Sequence, residues 1–422
     1  MRPCAGSRDA VPPRVCFYGD DMTGSTDALA NYARCGLSAR LVLGPGQVAP
    51  AAAEADVVGV AGTARALATD EMEAEVRPVF EAFRRLRPDA VQYKICSTFD
   101  SSPAIGSIGR ACEIAADVWG PAAIPVVAAQ PSLGRWTIFG THFASAPDGH
   151  VYRLDRHPTM STHPVTPAGE ADLATVLRAQ TSRLPVTALH WPDLGRYAGL
   201  SARHAGPIVL DARTDADLRR IGRMLWAAPR DRAPLVTVGS GGLSYALGSA
   251  LGAAPPPAAR PGPVDRMLAV SGSCSAMTAS QIDAAVSAGW IAIDALRTGA
   301  AAASREAIGA LDGGRSAVVY TARGRPSDGR GGPAIGRLLA EVVTAVAGRG
   351  MLSRLAIAGG DTSGQVLSGI GASGLEFLAP IGPGTALCTL RAPGRALDGL
   401  AVVLKGGQVG GTGFFELARR GS

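Results

Sequence analysis

In the stretch CFYGDDMTGSTDALA, residues 16–30, two carboxylates stand side by side, Asp20 and Asp21, where an apolar run meets the start of a helical pattern. Carboxylates at the carboxyl end of a strand can hydrogen-bond the hydroxyls of a polyol. One of them can also take the proton from a hydroxyl that attacks a phosphoryl group. Capping or helix-terminal charge accounts for one such residue, at most about 1 kcal/mol, but not for two. Thr23 or Ser25 can fill that cap, and Thr23 is also a hydroxyl within reach of a substrate. A second polar stretch, YKICSTFDSS (93–102), offers the ammonium of Lys94 and the hydroxyls of Ser97 and Thr98 to a substrate carboxylate. Arg135, in LGRWTIFG, could hold an anion with two donors of its fork.

Three further turns are suited to phosphate. In AVSGSCS an apolar run ends in Ser271, Gly272 and Ser273; in AIAGGDTSG another ends in Gly359, Gly360, Asp361 and Thr362. In VVLKGGQVGGTG a third ends in Lys405, followed by Gly406, Gly407, Gly410 and Gly411. Glycine lets a phosphate approach the backbone, N–H groups at a helix start point at it, and hydroxyls add donors. Tight-turn packing explains any one of these clusters. Three in one half, with an Asp and a Lys among them, fit a nucleotide. None has the GxxxxGK[ST] spacing, and no GxGxxG opens a strand-to-helix unit, so neither a P-loop nor a dinucleotide-binding fold is implied.

The elements that must position these turns repeat along the chain as a short β-branched run, a Gly/Ser/Thr turn and an Ala-rich or amphipathic helix. VVGVAGTARALATDEM and LVTVGSGGLSYALGSAL follow the same pattern. Continuous apolar strands alternating with helices predict an α/β protein of two domains, each a largely parallel sheet flanked by helices. Ligands of such sheets bind at the carboxyl ends of the strands. The proline-rich GAAPPPAARPGPV predicts the division: residues 1–252 as one domain, 253–264 as linker, 265–422 as the second. Between residues 130 and 170 the rhythm breaks, which predicts a long irregular excursion holding His142, His150, His157 and His163. Their spacing matches no common zinc site, and no metal ligands are assigned; His163 is a candidate contact to an anionic substrate.

Composition narrows the class. A chain of 422 residues with 47% apolar and 18% charged residues can bury large cores. Its formal charge of +6 is spread singly, without the basic runs and interleaved aromatics of a nucleic-acid surface. It does suit an anionic small substrate. No opening segment has signal-peptide character and no run reaches 18 apolar residues, which predicts a cytoplasmic protein that does not bind membrane. Seven cysteines without a CxxC pair read as reduced thiols. Of 41 basic residues only Lys94 and Lys405 are lysine, and both fall in the polar motifs above. A compact ammonium differs from a planar guanidinium, which points to positions that Arg cannot serve; chance survival or a structural ion-pair role is the alternative reading.

Taken in order, YGDDMTGSTDAL, YKICSTFDSSPAIGSIG, HPVTP, VSGSCS, GGDTS and LKGGQVGG resemble the four-carbon acid sugar kinase family, over about residues 15 to 415. In that family the N-terminal half binds the sugar acid and the C-terminal half binds ATP. The resemblance implies ATP- and Mg²⁺-dependent phosphorylation of a tetronate, 3-oxo-tetronate or 3-oxo-isoapionate in a cleft between the domains. By position, Asp20, Asp21 and Lys94 resemble sugar-acid contacts. Ser273, Gly359 to Thr362 and the glycines after Lys405 resemble ATP contacts. STFDSS replaces the STLRG of many tetronate members and is closer to the 3-oxo-tetronate and 3-oxo-isoapionate branches, while LGRWTIFG and RLDRHPTMS are nearer the isoapionate type. Either Asp20 or Asp21 could be the base, and a homodimer is left open. The competing readings are an NAD(P)-dependent sugar-acid dehydrogenase, disfavoured by the missing fingerprint, and a sugar-phosphate-binding regulator without turnover.

Overall fold

The computed structural model describes residues 13–146, 148–229, 234–252, 261–324, 332–382 and 384–421. Most of the proline-rich segment, 253–260, lies outside the described residues. Residues 261–264 have no regular structure and are tied back by Arg354 Nη2 donating to Gly262 O at 3.0 Å.

The N-terminal half forms eight parallel strands in the spatial order Ala39–Val42, Val57–Ala61, Val15–Gly19, Ala90–Lys94, Leu235–Gly239, Ile124–Val127, Pro207–Leu210 and Thr187–Leu189. In the C-terminal half, Ile291–Asp294, Ala317–Tyr320, Leu268–Ser271, Arg354–Ala358 and Ala401–Lys405 are parallel. The antiparallel hairpin Gly374–Gly382 with Thr385–Arg391 completes that half. The predicted α/β class is what folds, and the central strands VCFYG, VVGVA, AVQYK, LVTVG and RLAIA are buried along their whole length, as parallel strands covered on both faces must be.

The two halves are not separate sheets. Gly374–Gly382 pairs antiparallel with Ala39–Val42, through Gly374 with Val42, Leu375 with Leu41 and Glu376 with Arg40, so that fifteen strands among the described residues form one continuous sheet. On one face a single hydrophobic cluster includes Val15 and Leu29 from the first half and Leu268 and Val346 from the second. On the other face each half keeps its own cluster, around Val58 and Phe80 in one and Ala269 and Phe415 in the other. The helix Met22–Ala33 packs against both strands of the hairpin and against the helix Gly360–Gly369. It therefore borders the junction along its length.

Register aligns the turns. Gly19 pairs with both Ala61 and Lys94, and Lys94 with Gly239, so these strands end level; in the other half Ser271, Ala358 and Lys405 end level in the same way. Every polar turn singled out in the sequence except the 130–170 excursion follows one of these ends.

The excursion itself is ordered. Arg135–Ile138, Thr141–Ser145 and Val151–Arg153 form a three-stranded antiparallel sheet, contrary to the irregular loop expected from its composition. Its first hairpin turns on two residues, Phe139 (φ 48°) and Gly140 (φ 76°), both left-handed. Such a two-residue turn is usually signalled by Asn-Gly or Asp-Gly. Here the Asp211 carboxylate fixes it, accepting from Phe139 N at 2.8 Å and Gly140 N at 2.9 Å.

Candidate functional site

Asp20 and Asp21 follow the strand Val15–Gly19 and diverge. Asp20 points into the protein, 2% exposed, and Arg65 donates to it from Nη2 at 2.6 Å and from Nε at 3.3 Å. Burial pushes its carboxyl up to about 6; Arg65 works against this and the neighbouring Asp21 adds to it. Asp21 remains partly open. Burial would raise its pKa too, but Arg65, Thr23, Lys94 and the Gly24 N–H together hold it below the usual carboxylate value. Arg65 Nη2 lies 2.8 Å from Asp21 Oδ1, so one guanidinium bridges both carboxylates.

The helix cap is Asp21 itself, which corrects the assignment to Thr23 or Ser25. With φ −148° and ψ 164°, Asp21 is the last extended residue and accepts from Gly24 N at 2.8 Å. Thr23 already lies inside the helix and donates to Asp21 Oδ2 at 2.6 Å; Ser25 donates to the Asp21 carbonyl at 2.6 Å. One side chain thus serves the cap and still presents an oxygen edged by a hydroxyl.

Lys94 is 2% exposed, with Nζ donating to Ile95 O at 3.0 Å and standing 3.6 Å from Asp27 Oδ2. A Cβ on Gly24 would lie 3.1 Å from that ammonium and would run into Asp21 Oδ1, so Gly24 is what lets the helix approach both groups. Arg65 and Asp27 were not singled out in the sequence. The signals for them were present: Asp27 lies in the quoted YGDDMTGSTDAL, and Arg65 lies four residues past the end of the strand beside Val15–Gly19.

Beyond Lys94, Thr98 is buried and donates to Asp100 Oδ1 at 3.1 Å, beside Cys96 Sγ at 2.9 Å. Ser97 is held through its carbonyl by His142 Nε2 at 2.8 Å. A carbonyl only accepts, so Nε2 carries the proton and Nδ1 accepts from the Thr137 hydroxyl at 3.0 Å. Burial drives the His142 imidazole down to about 4. The unfolded chain gains this proton below about pH 6.5 and the native state only near 4, so stability should be kept above pH 6.5 and drain as pH falls through that window. Urea midpoints at pH 7 and pH 5 should differ by less in His142→Gln than in the native chain; an unchanged difference would assign the acid sensitivity elsewhere.

The two remaining substrate candidates, Arg135 and His163, are each held by local hydrogen bonds. Arg135 commits one end of its guanidinium to the backbone. Its Nη1 donates to Leu133 O at 2.6 Å, Gly134 O at 3.0 Å and Ser145 O at 3.4 Å, binding the small sheet to the turn that precedes it. Its Nε is buried with no partner among the described residues, and burial lowers its pKa. His163 accepts at Nδ1 from Thr166 N, and the Thr166 hydroxyl lies against the same nitrogen, both at 3.0 Å, which closes a local turn.

In the C-terminal half the three turns converge. A Cβ on Gly359 (φ 120°) would sit 2.7 Å from Thr362 Oγ1 and 3.5 Å from Ser273 N; one on Gly272 would strike the same Thr362 hydroxyl; one on Gly407 would sit 2.8 Å from Ser273 Oγ. Side chains would fill the space between turns whose N–H groups and hydroxyls line it. Ser271 is fully buried and accepts from Ser273 N at 3.3 Å, so it braces the turn. Gly360 and Asp361 open the helix Gly360–Gly369, and the Asp361 carboxylate is exposed. At Gly410 (φ 85°) the Phe414 ring occupies the place of a side chain.

Lys405 does not reach into that space. It is 1% exposed, and Nζ donates to Thr278 Oγ1 at 3.0 Å and to Gly407 O at 3.4 Å, beneath the Phe414 ring. As the last residue of its strand it projects from the sheet face under the helices Ala276–Ser287 and Phe414–Arg420, not off the strand's end. Burial lowers its ammonium to about 8. It supports the Gly406–Gly407 turn from below, while Gln281 Nε2 donates to the carbonyls of Val409, Gly410 and Gly411.

The N-terminal turn meets these glycines. Cβ atoms on Gly360 and Gly406 would lie 3.9 Å from Asp21 Oδ2 and 3.8 Å from Thr23 Oγ1. Carboxylate and hydroxyl from one half thus face backbone turns from the other. Among the described residues no group of three or more His, Cys, Asp or Glu is arranged to hold a metal, and no helix is long and apolar enough to cross a membrane.

Known proteins share this arrangement of halves. Residues 15–247 match the family described as sugar-binding N-terminal domain, and residues 268–415 the one described as nucleotide-binding C-terminal domain. A 3-oxo-isoapionate kinase of Paraburkholderia graminis is 38% identical, over 96% of this chain and 94% of its own. A 3-oxo-tetronate kinase of Pseudomonas fluorescens is 31% identical, over 96% of each. A solved Haemophilus influenzae structure has the same fold, with a TM-score of 0.71 at 22% identity over 96% of this chain and 99% of its own. With both halves matched and relatives aligned almost end to end, the chain belongs to the four-carbon acid sugar kinase family.

Proposed function

We propose that this protein transfers the γ-phosphoryl group of ATP to a hydroxyl of a short 3-oxo sugar acid, of the 3-oxo-isoapionate type, in the cleft between its halves. The observation that carries this reading is the approach of Asp21 and Thr23 to Gly360 and Gly406 across the junction. The relatives' names give no support to a dehydrogenase or to a regulator without turnover. The division into residues 1–252 and 265–422 then separates a sugar-acid half from a nucleotide half, and the need for ATP places the reaction in the cytoplasm.

Asp21 is the base. It is ionised at neutral pH, its Oδ2 faces the nucleotide half, and it takes the proton as the substrate hydroxyl oxygen bonds to the γ-phosphorus and the bond to ADP breaks. Asp20, enclosed and paired, positions Arg65, whose guanidinium keeps both carboxylates ionised. Lys94, Ser97 and Thr98 bind the acid near its carboxylate. The turns at Ser271–Ser273, Gly359–Thr362 and Gly406–Gly410 take the phosphates. The residues present fit Mg²⁺ only as an ion held mainly by phosphate oxygens, with Asp361 as the exposed carboxylate at that edge. There it would neutralise phosphate charge. Most of the rate then comes from positioning and charge compensation.

A coupled ADP-release assay over tetronates, 3-oxo-tetronates and 3-oxo-isoapionate should give its highest kcat/KM with the last. No ADP release with any of these acids would overturn the proposal.

A further inference from the structure

Next to the reacting carboxylates the junction holds a partly open cavity of about 270 Å³. One wall is the helix Met22–Ala33, through Asp27 and Asn31; the opposite wall is the hairpin of the nucleotide half, through Gly382 and Thr385; Gln130 closes a third side. The polar walls are fixed before any ligand arrives. Asn31 Nδ2 donates to Asp27 Oδ1 at 3.0 Å, and Gln130 Nε2 donates to both Asp27 oxygens at 3.0 and 3.2 Å. Gln130 is 3% exposed, and among the described residues its Oε1 has no donor. A buried acceptor left unmatched is costly, so a donor brought by a ligand would be favoured.

The cavity continues the candidate site. Asp27 Oδ2 is 3.6 Å from Lys94 Nζ, and Lys94 in turn lies beside Gly24 and Asp21. Thr23, Asp27 and Asn31 succeed one another at four-residue intervals on one face of the helix, about 6 Å per step at 1.5 Å per residue. A ligand with a hydroxyl at Asp21 and a further arm directed along this face reaches Asp27. The walls favour a donor: the Asp27 carboxylate and the unmatched Gln130 oxygen accept hydrogen bonds, while Arg34, which also lines the space, is turned to Asn31 Oδ1 at 3.3 Å and to the Tyr245 ring, so a hydroxyl-bearing arm suits the inner walls and the substrate carboxylate stays with Lys94. A single water takes about 30 Å³ of liquid volume, so the space exceeds what one unbranched carbon needs.

We propose that this cavity receives the hydroxymethyl arm of a branched sugar acid, that Asp27 and Gln130 read its hydroxyl, and that the hairpin of the nucleotide half limits its size. This rests on the kinase reading above. It makes the choice between four-carbon and branched five-carbon acids a property of both halves.

Gly382 allows the test, because a Cβ built there meets nothing within 4 Å and its backbone needs no left-handed φ. Gly382→Val should lower kcat/KM for 3-oxo-isoapionate about ten- to hundredfold, through KM, while leaving 3-oxo-tetronate within about threefold and the KM for ATP unmoved. Gln130→Leu, read the same way, covers a Gly382 variant that fails to fold. Equal losses on both acids, or none on either in both variants, would overturn the assignment with the kinase reading intact. A native chain that releases no ADP with any acid would remove both.

Discussion

Asp21→Asn is expected to lower kcat by about 10²- to 10⁴-fold while leaving the affinity for ATP within a factor of about two. The asparagine is isosteric, and it caps a helix about as well as aspartate, so the Gly24 N–H keeps its acceptor and the fold should hold. What is lost is the capacity to take a proton at the oxygen that faces Gly360. Isothermal titration with ATP and a single-turnover measurement separate the two effects. A variant with weakened ATP binding and normal turnover would move Asp21 out of the sugar half's chemistry. The same substitution at Asp20 should behave differently, because that carboxylate is turned inward onto Arg65 and its loss should be felt first in stability.

Arg65→Met should be the most destabilising single change in the site. It strands the enclosed Asp20 carboxylate beside the partly open Asp21, and breaking a buried pairing from one side costs about 3–5 kcal/mol, visible as a lower urea midpoint. The surviving protein should also need a higher pH. Asp20 already titrates near 6 with the guanidinium in place, and removing a cation raises a neighbouring carboxyl further. The acidic limb of the kcat/KM profile, expected near pH 6 in the native chain, should therefore move upward. Arg65→Lys should recover part of the stability but not the profile, since one ammonium does not bridge two carboxylates as a fork does. An unshifted acidic limb in Arg65→Met would show that Asp20 does not govern it.

The fold class and the polar turns were legible because parallel sheets write themselves as continuous apolar runs, and because level strand ends collect whatever follows them. Arg65 follows a strand end, which was its one local signal, but it escaped because its partners are 44 and 45 residues away and it is one of many arginines. The rarity of lysine was informative in two different ways. Lys94 sits at the candidate site against Asp27, whereas Lys405 supports a turn from beneath; a residue type fixes which groups are available, and only strand geometry decides which face they occupy. The hairpin at Phe139–Gly140 was hidden for a related reason, since the residue that makes its turn affordable, Asp211, lies far along the chain. Likewise the His142 ring serves Ser97, whose position in the sequence gives no hint of it.

The pairing of Ala39–Val42 with Gly374–Gly382 has one more consequence. Two independent sheets would leave four open rims, each a row of unmatched amides able to recruit a strand from another molecule. Splicing them into one ribbon covers two of those rims, through three paired residues on each strand and the helix Met22–Ala33 packed against Gly374–Gly382, and among the described residues the two outer rims are short, the four residues Ile291–Asp294 and the three residues Thr187–Leu189. The ladder that brings donor and acceptor turns together thus also leaves this large sheet little edge at which a neighbouring molecule could add a strand.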